Sequence, residues 1–320
     1  MKKLKIIFMG TPDFAAPALK QLVSNNYEIS AVITAPDKPI GRKQEVTPPP
    51  IKKLALQYKI PVLQPEKILN SSWPKPDLKS QILNLNPDLI VVSAYGKIIP
   101  KEILDIPQYG SLNIHPSLLP KYRGPSPIQF AILNGEKITG ATIMLMDEKM
   151  DHGPILAQEK IEIPSDETSQ TLHDKLAQLG ADLLIKTIPQ YVQGEIKPKP
   201  QDEKNASYTK ILTREDGKID WRKSAESIER QIRAFTPWPG AWTIDGKRLK
   251  ILKAKVVDKK DGLTFKTKRG YLLLEMVQPE GKKTMSGEEF IRGYGRGNMP
   301  LSDIELRAGM VPPKAASEQL

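Results

Sequence analysis

Three histidines and no cysteine occur among 320 residues, so few side chains in this chain can move a proton or meet a developing charge. One of the three, His115, stands in "SLNIHPSLLPKYRGPSPIQ" (residues 111–129), two positions after Asn113 and immediately before Pro116. Proline continues neither a helix nor a sheet ladder, and the stretch reads as a short strand through 112–114 that breaks at Pro116. Side chains alternate along a strand with a period of two, which turns Asn113 and His115 to the same face. In a parallel sheet the carboxyl end of a strand is where ligands bind. A histidine that satisfies a turn carbonyl is the plainer alternative, and the stretch alone fits both. A second segment, "TGATIMLMDEKMDHGPIL" (139–156), alternates like a strand and runs into an acidic turn at 147–151. A carboxylate in that place can take a proton or orient an imidazole. Ordinary turn chemistry accounts for Asp147, but less well for Asp147 and Asp151 together. His152 and His173 read as surface residues, the latter lying off the leucine stripe of its helix.

These residues need a frame. "KLKIIFMG" ends at Gly10, a helical pattern follows through Leu19, Leu22 and Val23, and "YEISAVITA" is a second strand; "PDLIVVSAYG" (87–96) repeats the short apolar run. Runs that are apolar on both faces imply a parallel sheet covered by helices. The further glycines of a dinucleotide fingerprint do not follow Gly10, so NAD binding is not inferred. In "DETSQTLHDKLAQLGADLLIKTI" the residues Leu172, Leu176, Leu179 and Leu183 recur at helical spacing, giving a core-facing helix that closes the first domain. A polar, proline-bearing connector, "QGEIKPKPQDEKNAS", comes next. The expected organisation is a doubly wound, mostly parallel α/β domain over 1–189, a linker over 190–206 and a second domain over 207–320. That second domain shows one short helix near 224–235 and several strand-like runs parted by Gly, Asp and Lys, which suggests a small β-barrel. Residues 34–50, "TAPDKPIGRKQEVTPPP", hold five prolines without a periodic pattern and read as a long loop, functional or idle. The last residues, "VPPKAASEQL", read as frayed or extended.

Composition narrows the function classes. Without cysteine there are no disulfides, thiolate zinc sites or cysteine nucleophiles. No apolar stretch reaches the roughly 20 residues of a membrane span, and the N-terminal apolar run is a first strand rather than a signal, so a soluble cytoplasmic protein is expected. The net charge of +11 is uneven: residues 1–189 carry 22 Lys+Arg against 19 Asp+Glu, residues 190–320 carry 26 against 18. The run 247–269 holds ten basic residues and two acidic ones. Such runs are commonly a solvated face. Here apolar Leu249 and Ile251 alternate with Arg248 and Lys250, placing cations on one side of a strand, and a sheet with a charged face can track a phosphate backbone.

"LNIHPSLLPKYRGPSPIQ" together with "GATIMLMDEKMDHGPIL" resembles the formyltransferase family that uses a formylated tetrahydrofolate. "GTPDFAAPAL", "APDKPIGR", "RAFTPWPGAW" and the basic C-terminal part resemble the branch of that family whose acceptor is initiator methionyl-tRNA. The resemblance covers nearly the whole chain. It implies a Rossmann-like formyltransferase domain followed by an OB-like RNA-binding domain, with 10-formyltetrahydrofolate as co-substrate, no metal, and a monomer. By position in the motifs, the family's catalytic trio falls on Asn113, His115 and Asp151. Its folate-binding residues fall on Ser117, Leu118, Leu119 and Pro120, with Val92, Tyr95 and Gly96 lining the pterin pocket. The resemblance further implies RNA contact by the long loop, through Arg42 with Lys38 and Lys43, and by the barrel, through Lys247, Arg248 and Lys250. Those roles suit the residue types. Formyl transfer to an amine passes through a tetrahedral stage whose oxygen turns negative and needs donors, which Asn113 and His115 supply, while Asp151 accepts the proton the amine must lose.

Overall fold

A segment that is apolar on both faces is stable only between neighbours that cover it, and the apolar runs of the first part of the chain become strands of one sheet. In chain order the strands are β1 (Lys5–Gly10), β2 (Glu28–Ile33), β3 (Lys38–Ile40), β4 (Glu45–Thr47), β5 (Val62–Leu63), β6 (Leu89–Ser93), β7 (Ser111–His115), β8 (Ile138–Leu145) and β9 (Ile155–Glu162). Seven of them line up as β5-β2-β1-β6-β7-β8-β9. Pairing is parallel from β5 through β7 and antiparallel at β8 and β9, so the doubly wound, mostly parallel sheet is present. The computed structural model describes residues 3–41, 43–67, 77–245, 247–259 and 262–294. They form two compact units: the first runs to Ala131 and adds Glu136–Ser165 and Thr171–Ile211, and the second takes Ile132–Gly135, Asp166–Gln170 and the residues from Leu212 on.

In the first unit the strand order reverses at β1, with β2 on one side and β6 on the other, which opens a ligand crevice beyond the carboxyl ends of these strands. There Thr11 Oγ1 donates to the Tyr95 carbonyl at 3.2 Å and accepts from Ala35 N at 3.4 Å, tying three of the loops together. Helices α1 (Ala16–Ser24), α2 (Pro50–Gln57), α3 (Leu78–Leu85), α4 (Lys101–Leu104), α5 (Pro127–Leu133) and α6 (Ser169–Val192) accompany the strands. One sheet face packs Ile7, Met9, Ile33, Ile90 and Val92 against Leu78 and Ile82 of α3 and Ile103 and Leu104 of α4. On the other face a Cβ added at Gly180 would stand 2.5 Å from Ile114 Cγ2. Glycine there lets α6 close onto β7, on the side opposite Asn113 and His115.

Residues 34–50, expected as an irregular loop, contain a β3–β4 hairpin in which Lys38 pairs with Thr47 and Ile40 with Glu45. The prolines hid it. In a two-stranded ribbon each strand is an edge, so Pro39 forfeits no ladder bond, and the turn is made by Gly41 and Gln44, both at positive φ.

The second unit is antiparallel. Strands β10 (Ala241–Asp245), β11 (Lys247–Val257), β12 (Thr264–Lys266) and β13 (Tyr271–Pro279) pair in the order β10-β11-β13-β12, with β14 (Met285–Ser286) on β13. Register shifts between Ile251 and Ala254 bulge and bend β11. Helix α7 (Ala225–Ala234) begins at Ser224, whose side chain accepts from Ser227 N. Its Ile228 and Ile232 pack on Leu249, Ile251, Leu272 and Leu274, joined by Phe290 of α8 (Gly287–Tyr294). Among the described residues no helix is long and apolar enough to cross a membrane. Residues 301–320, with the expected frayed end, lie outside the described residues.

Candidate active site

Cross-strand neighbours share a face of their sheet. Followed from β2 to β8, the register sets Ile33, Met9, Val92, Asn113 and Met144 in one row. Four members are apolar and one is a carboxamide. Asn113 is only 8% exposed, and its side chain makes no hydrogen bond to any described residue. An amide left without a protein partner in such a row adds nothing to folding and is free to meet a group from outside.

The next row is polar. His115 lies opposite Thr142, and Thr142 opposite Gln158. Thr142 Oγ1 donates to Ser117 O at 2.6 Å and accepts from Leu119 N at 3.2 Å and Gln158 Nε2 at 2.9 Å. Gln158 Nε2 also donates to Leu119 O at 2.9 Å, so the loop 117–120 is pinned from the sheet. His115 Nε2 lies 3.0 Å from the Tyr122 carbonyl. A carbonyl only accepts, which puts the proton on Nε2 and turns Nδ1 toward Asp151 Oδ1, 3.6 Å away. The turn-carbonyl alternative for His115 is thus met at Nε2, while Nδ1 faces Asp151.

Asp151 arrives by a detour. Because β8 is antiparallel, its last residue Leu145 sits opposite Leu112, about 10 Å back along β7 from His115 at a strand rise of about 3.3 Å per residue. The turn 146–154 doubles back over that distance with Asp151 at φ 49°, and Gly124 N donates to Asp151 Oδ2 at 2.7 Å. One carboxylate oxygen is tied and the other faces the imidazole.

The sequence profile of the family described as "Formyl transferase" matches residues 2–188, and that of "Formyl transferase, C-terminal domain" matches 211–295. A protein of Caldanaerobacter subterraneus subsp. tengcongensis named methionyl-tRNA formyltransferase is 46% identical over 314 residues, spanning 94% of this chain and 99% of the relative. Its namesake in Bacillus subtilis is 44% identical over 304 residues, spanning 90% and 94%. The chain belongs to the methionyl-tRNA formyltransferase family. Its fold is shared by solved structures at lower identity. One is WlaRD, a sugar 3N-formyl transferase, with TM-score 0.64 and 23% identity over 88% of this chain and all of that one. Another is HypX from Aquifex aeolicus in complex with tetrahydrofolic acid, with TM-score 0.63 and 18% identity over 92% of this chain and 48% of that one.

In this formyltransferase the other candidates fall less evenly. Ser117 is fully buried and donates its hydroxyl to Lys121 O at 2.6 Å, so it shapes its loop. Leu118 is half-buried, Leu119 buried, and Pro120 half-buried. The side chains of Val92 and Tyr95 belong to the apolar cluster beneath the sheet. Burial pushes the Tyr95 phenol up to about 12, and its hydroxyl has no partner among the described residues. What this loop offers a ligand is therefore its backbone, up to the exposed Gly96 at positive φ. Lys38 and Lys43 are exposed on the hairpin, and Arg42 lies outside the described residues. Lys247 and Lys250 are exposed on β11, whereas the Arg248 guanidinium rests 4.2 Å over the Trp242 ring. Two histidines differ from expectation. His152 is half-buried between Asp147 and Glu203, and His173 sets its ring edge-on against Phe14 at 5.2 Å, because an imidazole buries its apolar body while its nitrogens reach carboxylates. The described residues hold no cluster of three or more metal-ligating side chains. Sequence reasoning missed Thr142, Gln158, Gln201 and the buried Arg123; of these, Arg123 and Thr142 stood inside the two quoted motifs.

Proposed function

We propose that this chain transfers the formyl group of 10-formyltetrahydrofolate to the amino group of methionine on initiator transfer RNA, and so supports translation initiation in the cytoplasm, as a monomer. The observation that carries the chemistry is the unpaired carboxamide of Asn113 in an otherwise apolar row. As the amine attacks the formyl carbon, the carbonyl oxygen turns negative, and a donor already in place needs no reorganisation to meet it. The methionine nitrogen bonds to the formyl carbon first, and the bond to the folate nitrogen breaks as that tetrahedral stage collapses. One proton leaves the amine and one reaches the leaving nitrogen. Asp151, with one oxygen held by Gly124, takes that proton directly or through one water. His115, anchored at Nε2, presents Nδ1 to the same gap and can share the proton with Asp151. Residues 117–120 and the backbone around 92–96 hold the pterin. The compact unit that runs on to Ile211 carries this chemistry, and the residues from Leu212 on bind RNA.

The acceptor reading is supported by near-full-length identity to proteins named for methionyl-tRNA and by the exposed Lys247, Lys250, Lys253 and Lys255 of β11. Lys253 is paired with Glu275 at 3.0 Å, so the other three, with Lys38, Arg42 and Lys43 from the 34–50 segment, meet the RNA. Replacing Lys247, Lys250 and Lys255 by Gln together is expected to flatten the slope of log affinity against log salt by about one for each phosphate no longer neutralised; an unchanged slope in filter binding places the RNA elsewhere.

The deciding experiment offers the protein and 10-formyltetrahydrofolate four conditions: charged initiator transfer RNA, charged elongator transfer RNA, free methionine, and no acceptor. Formyl groups appear on the initiator species alone if the reading holds. Release of formate without an acceptor would make the activity a hydrolysis.

A further inference from the structure

The segment expected only to join the domains is bonded at many points to the loops that carry the site. Backbone bonds run both ways between Ile155 and Lys199 at 2.8 and 2.9 Å, and Arg123 N donates to Ser207 O at 2.8 Å while Thr209 N donates to Arg123 O at 2.7 Å. Ser207 Oγ accepts from Tyr122 N at 2.8 Å, the residue whose carbonyl holds His115. Beneath this lies Arg123, fully buried. All five of its donors are used: two on Gln201 Oε1 at 3.0 and 2.8 Å, two on Glu203 at 3.0 and 2.6 Å, and one on the Tyr208 hydroxyl at 2.9 Å. The bond to Glu203 holds that arginine's pKa above its ordinary value and holds the Glu203 carboxyl below the ordinary range.

Gln201 completes the chain of contacts. With its oxygen facing Arg123, its Nε2 must face the other way, and it donates to the carbonyls of Asp151 and Gly153, both at 2.8 Å. All four hydrogen-bonding positions of this amide are occupied. Asp151 is a non-glycine residue at φ 49°, a conformation that persists only where surroundings impose it. The surroundings here are Gly124 N on its carboxylate and Gln201 on its carbonyl.

We propose that residues 199–209 act as a strap that positions the active site, with Gln201 as the positioning residue that transmits the place of the buried Arg123 to the Asp151 carboxylate. This rests on the reading of Asp151 as the proton acceptor. Gln201 touches no reacting atom; it holds the backbone from which the carboxylate hangs. Its sequence neighbours give no hint of this, because a polar glutamine between prolines and acids reads as solvent-facing linker.

Gln201→Glu tests this, since a glutamate can keep its two bonds to Arg123 but replaces the donor to the Asp151 and Gly153 carbonyls by an oxygen that repels them. Formyl transfer to charged initiator transfer RNA by full-length Q201E is expected to show kcat about 10- to 100-fold lower, the range seen for groups that orient a functional ligand from behind. KM for both substrates should stay within about twofold and the melting midpoint near that of the parent protein. Groups that act as a unit are non-additive, so Q201E added to Asp151→Asn should lower kcat no further than D151N alone. An unchanged kcat in Q201E, or an equal loss on the D151N background, overturns the strap. If D151N itself leaves kcat intact, the reading of Asp151 fails, and the strap falls with it.

Discussion

Asn113→Ala is expected to lower kcat for formyl transfer by about 10²- to 10³-fold, the cost of removing one preorganised donor to an oxyanion, while leaving the melting midpoint unchanged or slightly higher. The two halves of this result have one cause. Asn113 occupies a row with Ile33, Met9, Val92 and Met144 and has no protein partner for its amide among the described residues. Alanine there removes a polar group that no described donor or acceptor compensates, so stability does not suffer. A side chain retained for function at no benefit to the fold separates turnover from stability in this way. Steady-state kinetics with saturating 10-formyltetrahydrofolate, paired with thermal unfolding of the same preparation, checks both halves. Loss of the midpoint together with activity would return Asn113 to a structural role.

Gly153→Ala should cost nearly as much without touching any group that does chemistry. A Cβ built on Gly153 would stand 1.9 Å from the Leu145 carbonyl oxygen and 3.2 Å from Asp147 N, and both are backbone atoms that cannot rotate away. The two legs of the turn are already bonded, Leu145 N to Pro154 O at 2.9 Å, and Gln201 holds the Gly153 carbonyl. The turn must therefore shift as a piece and carry Asp151 with it. A displacement on the order of 1 Å at a reacting group costs about 10²-fold in rate. Gly293→Ala, where a Cβ meets nothing within 4 Å, serves as the contrast and should leave turnover alone. Wild-type kcat in G153A would show that the turn adapts and that Asp151 need not be placed so tightly.

Much of this protein could be read from local pattern. The period of two in "SLNIH" put Asn113 and His115 on one face of a strand, and β7 does so; doubly apolar runs became parallel strands, and the leucine spacing became α6. Such patterns depend on neighbours within a few residues, so one chain carries them in full. The quoted motifs also conveyed the family, which the profile matches and the near-full-length identity show. Local patterns failed where proline usage resembled a loop, at the β3–β4 hairpin.

The placement of Asp151 was beyond that reach. The acidic turn named it as a candidate and the family resemblance grouped it with Asn113 and His115, but the antiparallel pairing of β8 leaves the strand end opposite Leu112, and only the folded turn returns the carboxylate to His115. The bonds that hold it there come from Gly124, 27 residues away, and from Gln201, 50 residues away. Contacts at such separations follow from how elements pack and not from any periodicity. The chain's local chemistry thus specified which side chains could act and which strand face carried them. Distance, hydrogen-bond pairing and the hold of residues 199–209 on the site arose only when segments remote in sequence met, because backbone donors and acceptors must find partners wherever the fold brings them.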